Sequence, residues 1–168
     1  MAQNDIKIVS TAGVQSLPVV TFQTEANATA IKAGEFVKFK SNGSPYVIPL
    51  ADADGVIGTM VAVVGLAKSD STQTASADGT VDVYLPLPGV VYGIKAKSAA
   101  AADTQAEILA MCGDRVIIDL TGSTYTLDTA AAENQTSPFT IVGGDPTTST
   151  LYVILRSGAT FLGDQDLS

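Results

Sequence analysis

The sequence predicts a mainly β protein: a small barrel- or sandwich-like domain followed by a second small β-rich lobe carrying one short helix. Three observations lead there. Apolar residues alternate with polar ones in short runs, as in Thr80–Leu85 and Arg115–Thr121, which is the period of a strand with one buried face. Turn residues recur between those runs, as in Ser41-Asn42-Gly43-Ser44 and Pro86-Leu87-Pro88-Gly89. Many short strands with frequent turns suit a small barrel or sandwich. Finally, the chain is rich in Ala, Val, Thr and Gly and has no Trp, so its core is built from small side chains. A length of 168 residues fits one domain, or one domain with a small second lobe.

Residues 1–29 read as an extended arm. Two short apolar runs, Ile6–Val9 and Leu17–Val20, are separated by polar residues and Gly, and Pro18 opposes helix. Such a segment is expected to be flexible or ordered on a neighbour. The main domain is expected over 30–97. In the strand Glu35–Lys40, Val37 and Phe39 face one way and Lys38 and Lys40 the other. Asn42-Gly43 suits a type I′ hairpin turn into Tyr46–Leu50. Ala51–Gly55 reads as a turn and Val56–Leu66 as a β run with bends or bulges at Gly58 and Gly65. After a polar loop over 68–77, Asp78-Gly79 turns into a strand with Val81, Val83 and Leu85 on one face. Val90, Tyr92 and Ile94 then share a face of the strand Val90–Lys97.

The second lobe, over 98–168, opens with the helix, expected over Thr104–Met111. Asp103 is its expected cap and Gly113 its C′ stop, with Ile108 and Met111 facing the core. The strand Arg115–Thr121 follows, with Val116, Ile118 and Leu120 inward. Weaker strands are expected at Tyr125–Asp128, Phe139–Val142 and Leu151–Arg156, with a turn at Gly143–Pro146 before the last.

Charge narrows the function. Only 15% of residues are charged, against about 25% in ordinary soluble domains. So sparse a charge is expected where much of the surface is buried against copies or partners. The 9 basic and 17 acidic residues give a net charge of −8; beyond Ser98 only Arg115 and Arg156 are basic. A phosphate backbone or an anionic membrane would be repelled, so neither nucleic acid nor membrane is an expected partner. The start of the chain lacks a basic and apolar leader pattern, and the apolar runs are too short to span a bilayer as helices. The expected course is synthesis in the cytoplasm and solubility until assembly.

The chain has no His, which removes Ser-His-Asp and Cys-His catalysis and His-ligated zinc. No cofactor is expected and the protein reads as a non-enzyme. The single Cys, Cys112, cannot form an intrachain disulfide and is expected to be a small buried or inert side chain. Asp52 and Asp54 in ADADG resemble the opening of a calcium loop, but the downstream Glu and flanking helices are missing, so a plain turn is expected. Asp164 and Asp166 read as a solubilising end. The spaced glycines of GVIGTMVAVVG lack the pattern of a phosphate loop.

The stretch AIKAGEFVKFKSNGSPYVIPLADADGVIGTMVAVVG, followed after a polar loop by ADGTVDVYLPLPGVVYGIKAKS, resembles small head-decoration proteins of tailed bacteriophages, the β-tulip or lambda-decoration-like group. The segment KSAAAADTQAEILAMCGDRVIIDLTGSTYTLDTAA looks like a second small lobe found in longer members. The resemblance implies a β-tulip-like domain and no catalytic residue. It implies a structural cement subunit on the capsid exterior of an expanded head, a homotrimer at local three-fold positions, and an N-terminal arm that adds a strand to the major capsid protein. Residues 1–29 suit that arm, and its apolar residues Ile6, Ile8, Val9, Val14, Leu17 and Val19 are the expected capsid contacts. Two other readings stand beside it. One is a surface binding or adhesion module, such as a glycan binder, which would want an exposed aromatic platform. The other is a carboxylate-dependent enzyme built on two of Asp52, Asp54, Asp78 and Asp82.

Overall fold

The computed structural model describes residues 6–41, 44–51, 63–121, 124–130 and 137–156. Eleven strands and one α-helix are found among them: β1 (Ile6–Ser10), β2 (Val19–Thr24), β3 (Phe36–Phe39), β4 (Val47–Pro49), β5 (Val63–Ala67), β6 (Gly79–Tyr84), β7 (Val91–Lys95), α1 (Gln105–Ala110), β8 (Arg115–Thr121), β9 (Thr124–Asp128), β10 (Phe139–Asp145) and β11 (Thr150–Leu155). They form two antiparallel sheets, of order β1-β7-β11-β10-β8-β9 and β2-β6-β5-β3-β4. The mainly β class is as expected. Among the described residues neither sheet closes into a barrel by a continuous ladder. In the five-stranded sheet the two edge strands, β2 and β4, approach each other through one parallel bridge, Gln23 to Tyr46; in the six-stranded sheet edge strand β9 bridges back to the end of β7, second from the other edge, through Leu127 and Ala96.

The sheets cut across the boundaries expected at 29/30 and 97/98. The six-stranded sheet takes β1 from the expected arm, β7 from the expected main domain and β8–β11 from the expected second lobe. Residues 6–24 do not stand off as an arm. Within them β1 pairs with β7 (Ile6 opposite Ile94) and β2 pairs with β6 (Val19 opposite Tyr84). One segment thus supplies an edge strand to each sheet.

Side-chain alternation divides the interior in two. Phe36, Val63 and Leu66 point from the five-stranded sheet into a large core shared with Tyr92, Ile94, Val116, Ile118, Phe139 and Val153 of the six-stranded sheet. Their neighbours Val37, Val64 and Ala67 point the other way, into a smaller core with Ile31, Val47, Val81 and Val83. Both faces of this sheet are therefore apolar, and all of β5 is buried. Phe36 carries the contact between sheets, its ring 5.0 Å from that of Tyr92 and 5.1 Å from that of Phe139. Phe22 and Phe39 meet edge to face at 6.0 Å beside the smaller core.

Local chemistry explains the turns. Lys32-Ala33-Gly34-Glu35 is closed by the Glu35 amide donating to the Lys32 carbonyl at 3.1 Å, with Gly34 at φ +87°, as a type II turn demands of its third residue. The bulge expected at Gly65 is present: Val37 pairs with Gly65 but Lys38 pairs with Val63, leaving Val64 unopposed. β3 and β4 pair as the expected hairpin; Asn42 and Gly43 lie outside the described residues, as do Gly58, Asp52, Asp54, Asp164 and Asp166.

Three details differ from expectation. The helix is capped by Thr104, not Asp103: Thr104 Oγ1 accepts the Glu107 amide at 3.3 Å while the Glu107 carboxylate accepts the Thr104 amide at 3.1 Å. Met111 is the C-cap, so Gly113, at φ +97°, lies one residue beyond the expected C′ position. The turn expected at Gly143–Pro146 is shifted: β10 runs through Asp145, and the Asp145 carboxylate holds the Thr147 amide and the Thr148 hydroxyl, each at 2.9 Å, so the chain reverses over 146–149. Ile108 is buried as expected, and Met111 packs partly against the same core.

Candidate functional site

The apolar residues of the N-terminal segment separate into two groups. Ile6 and Leu17, 3% and 5% exposed, lie in the large core, and Ile8 packs against it. Ile6 and Leu17 are thus spent on the protein's own interior and are not free as external contacts, because β1, which holds Ile6, and β2, which Leu17 precedes, belong to the protein's own sheets. Val9, Val14 and Val19 are 47%, 39% and 39% exposed, and Val20, absent from the expected contacts, is 40% exposed. The period-2 pattern could have found Val20: on an edge strand with little cover, both faces of Val19-Val20 stay open. Val9, Val14, Val19 and Val20 form the candidate contact set.

Backbone geometry places them. After β1, Thr11-Ala12-Gly13-Val14 reverses the chain, with Ala12 and Gly13 at φ +55° and +85° and the Val14 amide donating to the Thr11 carbonyl at 3.2 Å. Thr11 Oγ1 also donates to the Val14 carbonyl at 2.6 Å. Pro18 then accepts the Leu85 amide at 2.9 Å, anchoring the start of β2. β2 carries no charged residue, and its register on β6 sets Thr21 opposite Asp82, whose carboxylate accepts the Thr21 hydroxyl at 2.7 Å. The set offers exposed apolar side chains on strand edges, which is contact chemistry rather than acid–base chemistry.

Of the acids weighed for catalysis, Asp78 and Asp82 lie among the described residues, and both have structural work. Both oxygens of Asp78 are engaged, by the Ala26 amide and the Tyr46 hydroxyl, each at 2.8 Å. These bonds, the amide first, hold its carboxyl below the ordinary range, so it is ionised at neutral pH. Glu35 is buried and accepts the Lys32 amide at 2.8 Å; burial pushes its carboxyl up. Lys97 lies between Asp119 at 2.6 Å and Asp128 at 3.0 Å, which raise its pKa, while Lys97 in turn lowers that of Asp119.

Cys112 is exposed; it follows the helix on the surface, where its Sγ donates to the Ile108 carbonyl at 3.4 Å. Of the aromatics considered for a platform, Tyr92 is fully buried and Tyr46 is tied to Asp78, whereas Tyr84 is partly exposed with Lys68 Nζ 6.0 Å from its ring centroid. Among the described residues no group of three or more Cys, Asp or Glu is placed to hold a metal ion, and no helix is long and apolar enough to cross a membrane. No protein-family model matches the chain, and neither does any curated protein.

Proposed function

We propose that this protein is a structural virion subunit that binds the outside of an expanded phage head and stabilises the junctions between capsomers. The observation that carries the reading is that the N-terminal segment gives an edge strand to each sheet yet leaves Val9, Val14, Val19 and Val20 exposed. Apolar side chains on an edge strand suit docking by strand addition, in which main-chain hydrogen bonds give affinity and alternate side chains fill pockets. The low charge content supports a surface destined for burial, and the resemblance of residues 30–97 to decoration proteins supports the partner, a major capsid protein.

On this reading the protein works without catalysis or cofactor, as a homotrimer on the capsid exterior. Pressure from packaged DNA acts on joints between capsomers, and a bound subunit adds buried area across them. Each contact is modest, but many copies on one closed lattice act together. The acidic balance keeps the decorated particle soluble and away from nucleic acid.

The test is solution mass by size-exclusion chromatography with light scattering, alone and then with expanded heads of the encoding phage. Co-migration with heads is expected. A stable species that ignores heads would end this reading and favour an independent binding module.

A further inference from the structure

In each sheet an edge strand folds back onto a non-neighbouring strand through one parallel bridge, β4 onto β2 and β9 onto β7, and both bridges sit beside an aspartate. In the five-stranded sheet, Gln23 bridges Tyr46, and Asp78 collects the Ala26 amide just after β2 and the Tyr46 hydroxyl just before β4. Lys40, whose amide donates to the Tyr46 carbonyl at 3.0 Å, pairs through Nζ with Glu25 on the other side of the same junction. In the six-stranded sheet, Ala96 bridges Leu127 and the Lys97 amide donates to the Leu127 carbonyl at 2.9 Å. Lys97 Nζ then reaches Asp119 on β8 and Asp128 on β9, where the Thr121 hydroxyl (2.8 Å) and the Ala130 amide (2.9 Å) complete the two carboxylates.

We propose that these two seams are ionic latches that open in acid while the antiparallel ladders and both cores stay folded. A single parallel bridge contributes little by itself, and hydrogen bonds to an ionised carboxylate are roughly twice as strong as neutral ones. Protonation therefore weakens the seams selectively, because the ladders are amide-to-carbonyl throughout. The charged and titratable groups facing Asp78 and Tyr46 are Glu25 and Lys40; those facing Lys97 are Asp119 and Asp128. No His lies in the chain, so nothing of the usual neutral-range kind intervenes.

Asp78 and Asp119 are both held below the ordinary carboxylate range, the first by the Ala26 amide and Tyr46, the second by Lys97 and Thr121. Groups lowered in this way stabilise the closed form above the unperturbed aspartate value of about 3.9 and lose that contribution as pH falls through the lowered values. The latches are thus shut across neutral pH and release only in strong acid.

The test is residue-resolved amide hydrogen exchange, corrected for intrinsic rate, on the full chain at neutral pH and near pH 2.5. In acid, the Ala26 and Lys97 amides are expected to lose about tenfold or more in protection, while the Leu50 and Ala67 amides keep theirs. At neutral pH, Asp78→Asn should reproduce the loss at Ala26 only, and Asp119→Asn with Asp128→Asn the loss at Lys97 only. Seam and core amides losing protection together in acid would overturn the proposal. So would folded variants whose seam amides exchange like wild type. If a variant fails to fold, the acid profile of the wild type decides alone.

Discussion

The Tyr125 hydroxyl donates to the carbonyl of Leu50 at 3.0 Å, with both groups buried and 75 residues between them in sequence. The bond fastens β9 of one sheet to the residue that follows β4 in the other. Tyr92, equally buried, has a hydroxyl with no hydrogen-bond partner among the described residues, and burial pushes its pKa up. The two tyrosines should therefore respond oppositely to loss of the hydroxyl. Tyr125→Phe leaves a buried carbonyl without its donor and should cost about 1–3 kcal/mol in urea unfolding. Tyr92→Phe removes an orphaned polar group and should be neutral or mildly stabilising. Equal destabilisation by both would contradict this account of the interior.

The N-terminal residues should divide by burial. Ile6→Ala and Leu17→Ala open space in the large core and should cost about 2–5 kcal/mol, whereas Val9→Ala and Val19→Ala should stay within about 0.5 kcal/mol. Removing residues 1–24 should unfold the protein rather than release an arm, since it strips one strand from each sheet. Circular dichroism of the truncation checks this directly.

Gly65 is fixed by space. A Cβ there would lie 2.1 Å from the backbone oxygen of Tyr84, so Gly65→Ala forces β5 and β6 apart and should cost about 3 kcal/mol. At Gly143 the nearest atom is Tyr152 Cδ2 at 3.7 Å, an ordinary contact, and Gly143→Ala should be close to neutral. Thermal unfolding of the two variants side by side separates backbone collision from a general intolerance of strand alanines.

Glu35 supplies a pH signature. Burial raises its carboxyl pKa above the unfolded value, so its contribution to stability is present below that value and is lost as pH rises through the folded one. Glu35→Gln, which can still accept the Lys32 amide, should be more stable than wild type at pH 7, and the difference should shrink as the pH is lowered. A constant difference from pH 3 to pH 7 would show that the charge is not the cause.

Much of the interior was legible because its signal is local. Val81 and Val83, Tyr92 and Ile94, and Val116 and Ile118 alternate within single strands, and all lie on buried faces. The bulge at Gly65 was readable because glycine in an apolar run has few other uses. β1 and β2 were not legible as sheet strands. Most of their side chains are exposed, and their partners β7 and β6 lie far along the sequence, so the period-2 pattern carries little there. The cap was misread although Thr104 and Glu107 spell a capping box, because Asp103 is an equally good cap by residue type. The exposure of Cys112 was not legible, because burial frequency says nothing about a position just past a surface helix. Asp78 read only as a turn residue; the Ala26 amide and the Tyr46 hydroxyl reach it from positions distant in sequence.

The most direct test of the proposed function is co-sedimentation of Val19→Asp/Val20→Asp with expanded heads, next to wild type. Both side chains are exposed, so the variant should fold, which its thermal melt verifies. Wild type should bind saturably and the variant at least about tenfold more weakly, since a carboxylate in an apolar contact must be desolvated without a partner. A folded variant that decorates heads as well as wild type would contradict the role assigned to this strand, and wild type that stays in the supernatant would contradict the function itself.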